Sequence, residues 1–194
     1  RLFNSVDAPI DLYTSNESIG LQAEYIRDGL VWDDWANTVE LVLDNQIGNK
    51  LRGLHIMCTV NALCLDSLDS FLECIVNWKI QYGRDAVNFS LNILRFPSFQ
   101  SALILPDELR TKYKDQLVQF MNTHQGSEFV HEYEWNQLQR LIDYLDVVKT
   151  PHSEAFDLPK LRNDFKQFFT QYDQRRNKNF SAAFPALTDW YNSL

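Results

Sequence analysis

Leu54-His55-Ile56-Met57-Cys58-Thr59-Val60-Asn61 is followed, after a short break, by Leu68, Phe71, Leu72, Ile75 and Val76. The first run is short, apolar and rich in β-branched types, which predicts a buried strand. The second set recurs every three or four residues, which predicts a helix with one apolar face. Asp66 stands just before it as an N-cap, and Tyr82-Gly83 closes it. Residues 86–96 then alternate apolar and polar over most of their length, which predicts the next strand. A strand, a helical crossover and a strand at this spacing make a parallel, right-handed βαβ unit.

Upstream the same order repeats. Leu2-Phe3-Asn4-Ser5-Val6-Asp7 reads as a strand whose polar residues gather at its C-terminal end, before Pro9. Residues 9–31 are polar and irregular, with a short helical turn near Gln22–Ile26. A helix is predicted over 33–47, with Trp32, Trp35, Val39 and Val42 on one stripe and Gly48 as its stop. Three βα units predict an α/β fold, either a parallel sheet or part of a (β/α) barrel. The chain starts on a strand and without an initiator Met, so the expectation is a domain whose first part precedes Arg1.

After Pro97 the pattern turns helical. Residues 101–105 read as a short strand. A helix opens at Pro106 with acids in its first turn and runs to about 122, with Leu109, Tyr113, Leu117, Phe120 and Met121 inward. Another covers 132–148 through Leu138, Leu141, Ile142 and Leu145, ending at Thr150-Pro151. The last long helix spans 158–175 through Leu161, Phe165, Phe168, Phe169 and Tyr172. The aromatic tail, with Phe180, Phe184, Trp190 and Tyr191, is expected to dock on the domain. The expected organisation is βα units over 1–97 and a helical extension over 98–194.

The net charge of −8 disfavours a general electrostatic grip on nucleic acid, which needs a basic face. Arg175-Arg176-Asn177-Lys178 is read as a solvated helix end. No run reaches the roughly 18 apolar residues of a membrane span, so no membrane partner is expected. Three sparse cysteines without a framework point to a reducing, cytoplasmic compartment.

Among candidate residues, Cys58 and Cys74 read as core positions, and Cys64 sits just past a strand end. None has metal-ligand spacing. His131-Glu132 with Glu134 reads as a solvated helix start. Ser5 and Asp7 alternate onto one side of their strand. In a barrel that side would line the ligand cavity, and Arg27 would suit a carboxylate, because its planar fork matches one bidentately. The other reading is a strand-end Ser and an Arg paired with Glu24 or Asp28; both stand at this point.

Asn4-Ser5-Val6-Asp7-Ala8, then Ala23-Glu24-Tyr25-Ile26-Arg27-Asp28-Gly29 and an aromatic helix opening at Trp32, resemble the middle strand and following loop of radical S-adenosylmethionine (SAM) enzymes. The branch resembled is the one with a SPASM or twitch extension. Cys58-Thr59-Val60-Asn61-Ala62-Leu63 resembles that family's next strand, and Leu105-Pro106-Asp107-Glu108-Leu109 the transition into the twitch region. Phe169 through Trp190 is similar to phage and environmental versions.

The resemblance implies the C-terminal half of a partial parallel (β/α)6 barrel followed by a mostly helical twitch-like extension. It implies a 4Fe–4S cluster on three cysteines that cleaves SAM reductively. The product is a 5′-deoxyadenosyl radical that takes a hydrogen atom from the substrate. It places Ser5 and Arg27 at the SAM carboxylate, Asp7 in the strand motif, and Leu94 near the adenine. A peptide or small-molecule substrate and an external electron donor are implied partners. Two departures stand out. The cluster motif Cys-x3-Cys-x2-Cys is absent, and residues 75–194 hold no Cys for an auxiliary cluster. The expectation is that the cluster ligands precede Arg1 and that this chain alone is inactive. A half barrel would also leave an apolar edge at strand 2–7. A non-catalytic α/β binding domain, or a degenerate enzyme serving as a peptide-binding scaffold, is the alternative.

Overall fold

The computed structural model describes residues 8–147, 152–153 and 156–194, without the side chains of 46–49 and 152–153. The predicted strand over 2–7, with Ser5 and Asp7, lies outside the described residues. The first described strand is instead β1 (Ile10–Ser15), inside the stretch read as irregular. It pairs in parallel with β2 (Leu51–Val60), which pairs in parallel with β3 (Val87–Ile93). The sheet order is β1-β2-β3, and no closed barrel forms among the described residues.

Two helices follow β1. α1 spans Gly20–Ile26 and α2 spans Trp32–Asn49. α3 (Leu68–Tyr82) carries the predicted face: Leu68, Phe71, Leu72, Ile75 and Val76 are all buried. Asp66 is not its N-cap. Asp66 ends a 3-10 turn, Ser67 takes the cap position, and the Asp66 carboxylate instead accepts from Gln22 and Lys112. Gly83 ends α3 at φ +111, a conformation that side chains other than glycine's rarely adopt.

Residues 101–105 form no strand. Ala102–Ile104 are a 3-10 turn with all three side chains buried, so the alternation a strand needs is missing. The Ser101 hydroxyl fixes the turn by accepting from the Leu103 N–H. α4 (Asp107–Thr123) and α5 (Glu132–Leu145) follow, α5 ending short of the predicted 148. A two-residue pair, β4 (His152–Ser153) and β5 (Phe156–Asp157), leads into α6 (Leu158–Arg176). The Asp157 side chain caps α6, and Asn177 ends it in the left-handed conformation. The tail docks as expected. α7 (Phe180–Ala183) and α8 (Thr188–Ser193) bury Phe180, Phe184, Leu187 and Tyr191. Phe165 and Phe169 of α6 and Tyr25 of α1 pack against Phe180 with ring centroids about 6 Å apart.

The two edges of the sheet differ. On the outer edge of β3, Glu134 accepts from the Phe89 N–H, Gln137 accepts from the Leu91 N–H, and Arg140 donates to the Leu91 carbonyl. These three positions, three residues apart, share one face of α5. Helix side chains therefore occupy the hydrogen-bonding groups that a fourth strand would use. The β1 edge has no strand beyond it among the described residues.

The two faces differ as well. Leu54, Ile56, Cys58 and Val60 of β2, with Val87, Phe89 and Leu91 of β3, point into the core. The opposite face carries Tyr13, His55, Met57, Ser90 and Asn92. Tyr13 is 67% exposed there and Met57 42%. Parallel sheets are normally covered on both faces.

Candidate binding site at the carboxyl ends of the strands

In open parallel sheets, ligands gather beyond the carboxyl ends of the strands. Here that end of β1 runs into Ser15-Asn16-Glu17-Ser18. Asn16, Glu17 and Ser18 are buried although all three are polar. Such burial is tolerated only with partners. The Asn16 side-chain oxygen accepts from the Glu17 N–H at 2.9 Å, while its Nδ2 is a buried donor without a partner among the described residues. The Ser18 and Ser67 hydroxyls lie 2.6 Å apart. Glu17, 2% exposed, reaches Arg27 at 2.5 Å and accepts more weakly from the Thr59 N–H of β2 at 3.4 Å. Burial pushes the Glu17 carboxyl above its ordinary range, with Arg27 opposing the shift.

Arg27 sits at the C-terminal end of α1, where its N–H closes on the Ala23 carbonyl. Its partner is neither Glu24 nor Asp28. Glu24 accepts from the Trp32 N–H at the start of α2, and Asp28 pairs with Arg176 and Lys178. One terminal nitrogen, Nη2, is committed to Glu17. Nη1 makes no hydrogen bond among the described residues, and Nε is a buried donor without a partner. The side chain keeps 29% of its surface exposed. The arrangement is a cation oriented by a buried carboxylate and still able to meet an anion.

Leu94 lies one residue past β3, half-buried, and its N–H continues the ladder to the Val60 carbonyl at 2.8 Å. It therefore stands at the same end of the sheet as Arg27. At the end of β2, the Asn61 side-chain oxygen accepts from the Leu63 and Cys64 N–H groups and shapes the turn.

Cys58 and Cys64 are fully buried, and burial raises both thiols well above their ordinary range. That disfavours the thiolate that a nucleophile or a metal ligand needs. Among the described residues no group of His, Cys, Asp and Glu is placed to hold a metal ion. No helix among them is long and apolar enough to cross a membrane. Glu134, read from sequence as part of a solvated helix start, is instead fully buried and paired with Lys79. The residue that sequence reasoning missed at the site is Glu17. No family model, curated protein or solved structure matches the chain.

Proposed function

We propose that this chain supplies the SAM-carboxylate-binding side of a radical SAM enzyme, with Arg27 as the carboxylate-binding residue. The carrying observation is the Arg27 guanidinium, anchored on buried Glu17 at the carboxyl ends of parallel strands, with Nη1 and Nε unbonded. Nη1, the unbonded donor that is not buried, is free to donate to an incoming carboxylate. Ser5, which the resemblance places beside Arg27, and Asp7 lie outside the described residues. Leu94 would contribute apolar contact at the neighbouring strand end.

The uncovered sheet face agrees with this reading. In a partial barrel it would be the inner wall, and the β1 edge, unpaired among the described residues, the side on which further strands join. The iron–sulfur cluster does not fit these residues, because Cys58 and Cys64 are buried and Cys74 stands apart on α3. No step through the cluster is assigned to this chain. Bound SAM supplies the adenosyl group and its reactive sulfonium. The chain's own contribution is to bind and orient the carboxylate and to keep the Arg27 charge in place.

A second reading rests on the same pair. Arg27 already has a carboxylate partner, so the network could serve only to join α1 to the sheet in a non-catalytic binding domain. Nitrogen-detected NMR of the Arg27 Nε–H separates the two. SAM should shift that resonance, and decarboxylated SAM, which lacks the carboxylate, should leave it unmoved. Identical responses to both ligands would favour the structural role.

A further inference from the structure

Two cavities adjoin where the C-terminal helices meet the end of β3. One, of about 440 Å³, is lined by Leu105, Asp107, Arg110, Leu158 and Arg162 among others. The other, of about 350 Å³, is lined by Arg95, Ser101 and Tyr144 among others. Leu103, Val147 and Phe156 line both. Their size suits a small ligand.

Three arginines thus border one cleft in a chain of net charge −8. They are not equivalent. Arg110 is spent on structure: it donates to the Leu145 and Val147 carbonyls at 2.8 and 3.0 Å and to Asp107 at 2.6 Å. Arg162 donates through Nε to the Ile104 carbonyl at 2.8 Å. Its terminal nitrogens have no hydrogen bond or ion pair among the described residues. Burial makes its charge harder to hold than an exposed arginine's, with Asp107 opposing the shift. Arg95 is exposed and likewise has no polar partner among the described residues.

Among the described residues, Asp107 pairs with Arg110 and also favours the Arg162 charge, as does Glu108, exposed at the start of α4. Among the described lining residues, three positive and two negative side chains leave a net charge of +1. The walls between the free guanidinium groups are apolar. A partly desolvated guanidinium whose terminal nitrogens make no hydrogen bond is completed by an oxyanion, and its planar fork suits a carboxylate.

We propose that this cleft binds an amphipathic carboxylate. Its apolar body lies on Leu103, Val147 and Phe156, and its carboxylate meets the free nitrogens of Arg162, with Arg95 contributing from the adjoining cavity. The site is independent of Arg27 and Glu17.

The test titrates 3-phenylpropionate and its uncharged amide, 3-phenylpropanamide, into the full chain, with binding followed by NMR. The acid should bind in the millimolar range and at least tenfold more tightly than the amide. Arg162→Gln and Arg95→Gln should each weaken the acid by roughly tenfold, the loss of one charge-assisted contact, and leave the amide unchanged. Arg162→Gln also disturbs the Ile104 contact, so Arg95→Gln, at an exposed position, carries the test if the first variant is misfolded by circular dichroism. Equal binding of acid and amide, no millimolar binding of the acid, or wild-type affinity in Arg95→Gln would overturn the proposal.

Discussion

Arg27 Nη2 lies 2.5 Å from the carboxylate of Glu17, a residue only 2% exposed, and this pair fastens the end of α1 to the end of β1. The pairing spans ten residues and crosses no other element of the sheet. It fixes the direction of a cation at the place where parallel sheets collect ligands. Because the carboxylate is buried and the guanidinium partly exposed, the two partners should respond differently to pH and to mutation.

The pH response follows from Glu17. Burial raises its pKa in the folded chain above the ordinary value of 4.5. The native state therefore holds that proton more tightly than the unfolded state. Its stability is greatest below 4.5 and declines as pH rises through the raised pKa, then levels off. Glu17→Gln removes this titration. Urea unfolding of wild type and Glu17→Gln at a series of pH values should show the wild type losing ground from about pH 4.5 upward. A constant difference, or one that grows in favour of the wild type, contradicts the assignment.

A second buried pair holds the helices to the sheet. Lys79 of α3 and Glu134 of α5 are both fully buried and lie 2.5 Å apart. Glu134 also accepts from the Phe89 and His131 N–H groups. Lys79→Met would leave this carboxylate charged, buried and without its cation. Such losses cost about 3–5 kcal/mol. Denaturant unfolding should show a loss of that size. A loss below about 1 kcal/mol, the range of a surface pair, would contradict the buried geometry.

The closed edge of β3 makes a more local prediction. Gln137→Leu removes the acceptor of the Leu91 N–H. An amide left unsatisfied in this half-buried position costs about 1–3 kcal/mol. Hydrogen exchange should speed up at Leu91 more than at Phe89, whose acceptor Glu134 is retained. Unchanged protection at Leu91 would show that Gln137 does not close the edge.

Thiol chemistry reports on the interior. Cys58 and Cys64 are fully buried with raised pKa values, whereas Cys74 is half-buried. A disulfide reagent added to the native chain should modify Cys74 first, and Cys58 and Cys64 only on unfolding. Rapid modification of Cys58 in the native state would contradict the packing of β2.

These features were unevenly legible in the sequence. The helices were readable because burial on one side imposes a period that survives in the residues: Leu68, Phe71, Leu72, Ile75 and Val76 on α3, or Leu138, Leu141 and Ile142 on α5. β2 and β3 were readable because buried residues of one type dominate or alternate. β1 was not. Among the described residues it is an edge strand, with Asp11, Thr14 and Ser15 in six residues, and its pairing with β2 supplies what its composition lacks. Ser101–Leu105 misled for the opposite reason: its apolar residues are buried, but in a tight turn capped by Ser101. At the site, Arg27 stood out as a candidate, but its partner did not. Pairing with Glu17 depends on how α1 turns back onto the strand end, which no local pattern encodes. The α5 side chains that close β3 were hidden likewise, since Glu134 and Gln137 look like an ordinary helix surface until the sheet is placed beside them.

The proposed contact between Arg27 and the SAM carboxylate is isolated by a cycle of Arg27→Ala against removal of that carboxylate from the ligand, with affinities measured by calorimetry. Arg27→Ala should weaken SAM by about 2 kcal/mol, roughly thirtyfold, and leave decarboxylated SAM unaffected. Equal losses for the two ligands, or no loss for SAM, would show that Arg27 does not receive the SAM carboxylate.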